Sequence, residues 1–373
     1  SMAVFPMCPE CQAEYENPAD RRFHAQPNAC ADCGPRVWLE KTNGEPVPAE
    51  KGFDIIETAA GLIRQGSIVA IKGIGGIHLA CDAGNEQAVN RLRERKHRYH
   101  KAFALMAADT GMVSRYADVA QEEASLLLGR AAPIVVLKRR GEALASSVAP
   151  AQNTLGFMLP YTPLHHLLMQ NMTHPIVLTS GNRSEEPQTI SNRAAHQWLD
   201  QIADYYLLHD RDIVNRVDDS VLRMADSQPR YLRRARGYAP RPIALPESFS
   251  SGAGILAMGG ELKNTFCLLQ GGRAILSQHM GDLEDTETYR DYRHNLQLYR
   301  RLFDFSPGTL VVDKHPNYLS TGLGRSIAAE EGLQLIEVQH HHAHITACMA
   351  EHGLPLDTEQ VLGVAMDGLG FGE

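Results

Sequence analysis

The chain has 373 residues, 43% of them hydrophobic and 21% charged, with a formal net charge of −8. That length holds two or three domains with real cores, and the composition is ordinary for a folded globular protein. The acidic balance argues against a dedicated nucleic-acid binder, and no apolar run approaches the ~20 residues of a membrane span.

The first fifty residues carry Cys8-x2-Cys11, eighteen intervening residues, then Cys30-x2-Cys33. This spacing predicts a zinc ribbon in which four thiolates close a tetrahedral, structural Zn2+ site. The intervening segment has few apolar residues and needs the metal to fold; a pair of disulfides is the alternative. Cys81, Cys267 and Cys348 are scattered, a usage that fits a reducing, cytoplasmic setting. The N-terminus shows no signal peptide, and Ser1-Met2 reads as an expression scar. Asn43 to Glu50 reads as a linker, so a first domain spans residues 1–50.

Residues 51–246 alternate strand and helix signals, as in an α/β domain. A helix is predicted over 55–65 and strands over 68–71, 102–107, 134–137 and 175–180. The predicted strand at 68–71 runs into Lys72 and the glycines Gly73, Gly75 and Gly76, a turn a ligand could approach closely. Asn85 reads as the N-cap of the next helix. Its far end and the segment beyond carry Arg91, Arg93, Arg95, Lys96, Arg98 and Lys101, more cations than helix capping needs. A polyphosphate site and a solvated basic face are both open at this point. Neither a P-loop nor a dinucleotide fingerprint is present. Residues 155–163 read as rigid and turn-rich, and His165-His166 as a solvent-facing helix start. The strand ending Leu178-Thr179-Ser180-Gly181-Asn182 offers hydroxyl and amide groups suited to a phosphate or ribose.

A third segment, 252–373, predicts strands at 254–259, 265–270 and 273–278, with a Gly271-Gly272 hairpin turn, and a helix near 285–303. Further strands are predicted at 309–313 and 333–338. Next comes His340-His341-His342-Ala343-His344. On a helix His340 and His344 lie one turn apart and can share a divalent metal, with a surface cluster as the plain alternative. Asp367 is expected at a strand end before a glycine turn, as a third metal ligand or a simple turn residue. Gly259 to Asn264 reads as a site-lining turn.

Several of these motifs occur in the order of a known family. Lys72 to Asp82, the run Arg93 to Lys101, Ser180-Gly181-Asn182, Val217 to Val221 and Arg233 to Pro240 resemble the YrdC-like domain. With the cysteine knuckles in front, the chain resembles the HypF family of hydrogenase-maturation carbamoyltransferases. The implied fold is α/β multidomain: a small four-cysteine zinc ribbon, a YrdC-like α/β domain, and the first half of an actin-like, ribonuclease-H-like α/β domain. The implied activity makes carbamoyl-adenylate from ATP, with Mg2+, and carbamate derived from carbamoyl phosphate. It then passes the carbamoyl group to the C-terminal cysteine of a HypE-like acceptor protein, for cyanide-ligand synthesis. The resemblance places Lys72, Lys96 and Arg98 in catalysis, and Lys101, Ser180, Asn182 and Arg234 with them at the nucleotide. It also implies a metal at His340 and His344. Ala102 departs from the family, which often has proline there. An acylphosphatase domain and the second half of the last domain are expected outside this stretch, leaving transfer impaired. A tRNA threonylcarbamoyl-adenylate synthase and a zinc-ribbon RNA-binding module are the competing readings.

Overall fold

A computed structural model describes residues 4–26, 28–52, 54–182, 186–249, 254–368 and 371. The chain divides into two compact units, Ser1–Leu232 and Arg233–Glu373. In chain order the first unit begins α1 (Pro9–Glu16), β1 (Val37–Lys41), α2 (Ile55–Arg64), β2 (Val69–Lys72), β3 (Ile77–Asp82) and α3 (Glu86–Lys96). It continues β4 (Ala104–Met106), α4 (Thr110–Ser114), α5 (Gln121–Leu128), β5 (Ile134–Lys138), β6 (Thr154–Met158) and α6 (Pro163–Met169). It closes with β7 (Ile176–Ser180), α7 (Asn192–Trp198), β8 (Tyr205–His209), β9 (Val221–Ala225) and β10 (Gln228–Arg233).

These strands form one mixed sheet in the order β1-β8-β2-β3-β7-β4-β6-β5-β9-β10. Strand alternation divides the apolar residues between its two faces. Ile68, Ala70, Ile77 and Leu79 meet Ala88, Val89 and Leu92 of α3 on one face. Val69, Ile71, Ala80 and Leu178 meet Ile56, Ala59, Ala60 and Ile63 of α2 on the other. The helices start where their caps dictate. Asp54 and Glu57 form a reciprocal capping box on α2, and the Asn85 side chain accepts from Ala88 N at 3.1 Å to open α3.

Topology brings several strand ends together. β2 runs parallel to β8, while β3 is antiparallel to both β2 and β7. The C-terminal ends of β2, β7 and β8 therefore share one end of the sheet with the start of β3. Lys72, His78, Ser180 and His209 sit there, with His78 directly opposite Ser180.

Three features differ from the sequence expectations. Residues 37–41 pair along their whole length with β8, so the end of the cysteine-rich segment belongs to the large sheet. Residues 154–158 form β6, whose Leu155, Phe157 and Met158 are buried; glycine and proline signals around it mask an interior strand. The glycine turn between β2 and β3 is shaped by protein contacts. A Cβ on Gly75 would lie 2.4 Å from Val217 O, and one on Gly76 would lie 2.2 Å from Gln188 Cδ.

The second unit runs β11 (Ile243–Ala244), β12 (Ile255–Ala257), β13 (Cys267–Gln270), β14 (Arg273–Leu276), α8 (Thr286–Leu302) and β15 (Thr309–Asp313). α9 (Leu319–Glu331), β16 (Gln334–Val338) and α10 (His340–Glu351) complete it. Its sheet has the order β11-β14-β13-β12-β15-β16, with β12, β15 and β16 parallel. Tyr292, Leu296 and Tyr299 of α8 pack on Leu256, Phe266, Leu268 and Leu310. The strand expected before Asp367 is not formed. Residues 359–367 run without a ladder partner, and a strand cannot persist without one for its backbone groups. Among the described residues no helix is long and apolar enough to cross a membrane.

Candidate functional site

Two ligand-bearing clusters and a metal knuckle emerge, each within one unit. In the knuckle, Cys8 precedes α1 and Cys11 lies on it. Sulfur separations are 3.7 Å for Cys8–Cys30, 3.8 Å for Cys30–Cys33 and 3.7 Å for Cys11–Cys33. Four sulfurs about 2.3 Å from one tetrahedral zinc stand this far apart. No disulfide joins them. Amide hydrogen bonds, those of Cys8 and Cys30 foremost, pull the Cys33 thiol down to about 6, whereas burial pushes Cys11 up to about 12. A bound cation would favour the thiolate at all four positions.

The second cluster lies at the shared strand end of the first unit. Lys96, on the last turn of α3, is 2% exposed. Its Nζ donates to Ser180 O at 2.8 Å, Asn182 O at 2.6 Å and Asn182 Oδ1 at 2.7 Å. An ammonium has three hydrogens, and these contacts use them all. Ser180 Oγ also donates to Asn182 Oδ1 at 2.7 Å, so lysine, serine and asparagine form one connected group. Desolvation, assisted by the nearby Arg98 charge, brings the Lys96 amine down to about 7. His97 follows in the left-handed region (φ 51°), turning the chain toward Arg98. Arg98 is half-buried, donates to Ala102 O at 2.9 Å and lies 5.5 Å from the Phe103 ring centroid. Lys101 is exposed on the same loop. Lys72 ends β2 with its Nζ donating to His209 O at 3.0 Å, and burial lowers its pKa.

Most of the basic run has structural employment. Arg93 is buried, donates to Arg98 O at 2.6 Å and Lys101 O at 3.1 Å, and thereby shapes the loop that carries Arg98 and Lys101. Arg91 donates to Gly66 O, and Arg95 pairs with Asp204 at 2.7 Å. Arg234 lies in the second unit, where its Nη2 donates to Tyr238 O at 2.9 Å and Arg241 O at 2.6 Å.

The third cluster opens α10. Gln339 caps this helix, accepting from His342 N at 2.8 Å, and places His340 on its first turn. His340 Nε2 lies 3.1 Å from His344 Nε2 and 3.0 Å from Asp367 Oδ2, and the third separation is 3.6 Å. His340 Nδ1 donates to Asp313 Oδ2 at 2.6 Å, which leaves Nε2 as a lone-pair donor facing a carboxylate oxygen. Atoms this close share either a hydrogen or a bound cation. The spacings suit ligand atoms bound about 2.0–2.2 Å from one ion. Asp313 also accepts from His315 N at 2.8 Å, so its carboxylate is fixed while it orients the imidazole. His341 takes no part in the cluster; its Nδ1 meets Gln339 Nε2 at 2.8 Å.

A cavity of about 800 Å³ adjoins this cluster, lined by Gly259, Gly260, Asp313, His340 and His344 among others. The turn 259–264 borders it because Gly259 takes φ +75° and the Asn264 side chain donates to Gly260 O at 2.6 Å. Buried Glu261 accepts from Leu319 N at 2.8 Å, and desolvation raises its pKa.

Three residues of these clusters were not assigned from sequence. Asp313 ends a predicted strand, the one signal it carried. His78 and Asp219 stand inside quoted motifs, but their 3.4 Å approach joins segments far apart in the chain.

Comparison with known proteins follows the same division. The HypF finger family matches residues 7–40, the Sua5–YciO–YrdC family (Telomere recombination) matches 61–235, and the HypF Kae1-like domain matches 250–351. The chain is similar to the carbamoyltransferase HypF of Rhodobacter capsulatus, 46% identical over all of this chain and 49% of the relative. A crystal structure of full-length HypF in a phosphate- and nucleotide-bound form superposes with TM-score 0.88 at 49% identity. That match covers 100% of this chain and 47% of the other. The HypF of T. kodakarensis gives 0.89 at 40% identity over the same shares. The chain thus spans about half the length of the curated relatives it matches. It comprises a zinc-finger segment, a YrdC-like domain and a Kae1-like domain.

Proposed function

Because the chain belongs to the HypF family, we propose that it activates carbamate with ATP as the first half of a carbamoyl transfer. The observation that carries this reading is the joined group Lys96–Ser180–Asn182 at the strand ends, beside the loop that bears Arg98. In this step a carbamate oxygen attacks the α-phosphorus of ATP, the bond to the β-phosphate bridge oxygen breaks, and pyrophosphate leaves with the electron pair. Negative charge builds on the α-phosphate and the leaving group, so preorganised cations and donors supply the catalysis. Arg98 and Lys101 contact phosphate oxygens. Lys96 acts through its charge and by ordering Ser180 and Asn182, which border the nucleotide site. Lys72 supplies positive potential from the end of β2. Mg2+ accompanies the ATP.

Cys8, Cys11, Cys30 and Cys33 hold a structural zinc. His340, His344 and Asp367 hold a first-row divalent cation, which would supply Lewis-acid chemistry to the carbamoyl-transfer module. In functional terms the modules are residues 1–50, 51–246 and 252–373. The final acceptor is the C-terminal cysteine of a HypE-like protein, in hydrogenase maturation.

The test is ATP–pyrophosphate exchange with fresh ammonium carbamate. Exchange that requires carbamate and is lost in Ser180→Ala is expected. Exchange driven instead by threonine with bicarbonate would reassign the domain to threonylcarbamoyl-adenylate synthesis.

A further inference from the structure

Arg98 and Lys101 stand on the connection between α3 and β4, not on a strand or helix. Long cationic side chains on a loop serve a polyphosphate well only if the loop already has one shape, because a small misplacement of a binding group is costly.

A single buried guanidinium gives the connection that shape. Arg93, on α3, is 5% exposed. Both hydrogens of its Nη1 go into the connection, to Arg98 O at 2.6 Å and Lys101 O at 3.1 Å. Its Nη2 donates to Val148 O at 3.1 Å and its Nε to Ser147 O. One side chain thus ties two separate segments together through their carbonyl oxygens. The second segment is anchored on its own account. Glu86, on the first turn of α3, accepts from Ser146 Oγ at 3.1 Å and Ser147 N at 3.2 Å. Residues 146–148 are therefore a fixed post to which Arg93 fastens the cationic loop. The far end of the loop is fastened there too, since Phe103 N donates to Val148 O at 2.9 Å. The Phe103 ring lies 4.3 Å from Arg93 Cζ and holds the plane of the guanidinium. Arg95 pairs with Asp204, but among the described residues no carboxylate pairs with Arg93, whose charge meets carbonyl dipoles alone.

We infer that Arg93 is a positioning residue for the polyphosphate of ATP, fixing the backbone at Arg98 and Lys101 before the nucleotide arrives. The inference rests on the adenylation reading and adds to it a residue that touches neither substrate. A lysine cannot stand in for it. An ammonium carries three hydrogens on one atom, whereas the guanidinium spreads its donors over a planar fork that reaches both segments.

The experiment is ATP–pyrophosphate exchange by the full chain with carbamate, with amide hydrogen exchange beside it. Arg93→Lys keeps the charge and loses the fork. Its kcat/KM for ATP should fall at least about tenfold while the carbamate KM stays within about twofold of wild type. Glu86→Gln loosens the same post from the other end of α3 and controls for general loosening; its kcat/KM for ATP should stay within about twofold of wild type. In Arg93→Ala, added ethylguanidinium should recover part of the lost kcat/KM, and ethylammonium none. Hydrogen exchange of the wild-type chain needs no variant to fold. The amides of Arg98 and Phe103, both hydrogen-bonded, should exchange at least about tenfold slower than in an unstructured peptide without any nucleotide present. A normal ATP kcat/KM in Arg93→Lys, an equal loss in Glu86→Gln, equal rescue by the two cations, or loop amides that exchange fast until ATP is added overturns the inference and leaves adenylation standing. A wild-type chain that shows no carbamate-dependent exchange overturns the adenylation reading itself, and this inference with it.

Discussion

Lys96 is 2% exposed and spends every ammonium hydrogen on the Ser180–Asn182 turn, whereas α10, which carries His340 and His344, has no buried residue. The first cluster is assembled from the ends of packed strands and a packed helix, so its chemistry is inseparable from the core. The second projects from the start of a helix that the core barely supports, and its own ligands and Asp313 hold it in place. A site of the first kind is preorganised by folding, while a site of the second kind depends on what it binds.

Substitutions can break that contrast. Lys96→Ala should cost about 10²–10³-fold in pyrophosphate exchange, by analogy with removal of a preorganised charge-stabilising donor. It should also lower stability by about 1–3 kcal/mol, because buried acceptors lose their partner. Denaturant titration beside the exchange assay checks both. His344→Ala should abolish stoichiometric metal at the second cluster, read by metal analysis after dialysis. Its unfolding free energy should stay within about 0.5 kcal/mol of wild type. A large destabilisation by His344→Ala, or none by Lys96→Ala, would erase the distinction. Asp313→Asn lies between them, with metal affinity expected to fall about 10–100-fold through loss of the imidazole's orienting partner. Competition with a chromogenic chelator measures it.

A further effect is a slope. Lys96 titrates near 7 in the folded chain, against 10.5 for an ordinary lysine. Between these values the unfolded chain binds a proton that the folded chain does not, so this group makes stability rise with pH across that window. Below about 7 both states carry the proton and the slope vanishes. Unfolding free energies at several pH values should show the rise in wild type and a weaker one in Lys96→Met.

Local chemistry was legible in the sequence where it is carried by short spacings. The Cys-x2-Cys pairs, the His340/His344 turn and the Asn85 cap depend on residues within a few positions of each other, and the predicted strands around β2, β7 and β15 follow from apolar runs. Contacts between distant segments were not legible. His78 meets Asp219, Glu261 meets Leu319 and Asp313 meets His340 only once strands are ordered in a sheet. The basic run misled in part because a guanidinium can serve backbone carbonyls as readily as phosphates, as Arg91 and Arg93 do. The glycines of the β2–β3 turn carried a similar ambiguity, since bare backbone admits Val217 and Gln188 as readily as a ligand. Residues 359–367 have a strand's apolar character without its ladder, and periodicity alone cannot report the absence of a neighbour.

The pairing of β1 with β8 bears on how the chain matures. Val37 lies opposite His209 and Lys41 opposite Tyr205, so the edge of the large sheet is closed by residues from opposite ends of the first unit. Chains emerge from the ribosome N-terminus first, at about 5–20 residues per second. The β1 strand must therefore wait, unpaired, until β8 has been made. Contacts of such long sequence separation form late and slow the folding rate. A cysteine knuckle that closes on its metal early would keep the waiting segment short and out of competing pairings, a service to biogenesis that the finished fold no longer displays.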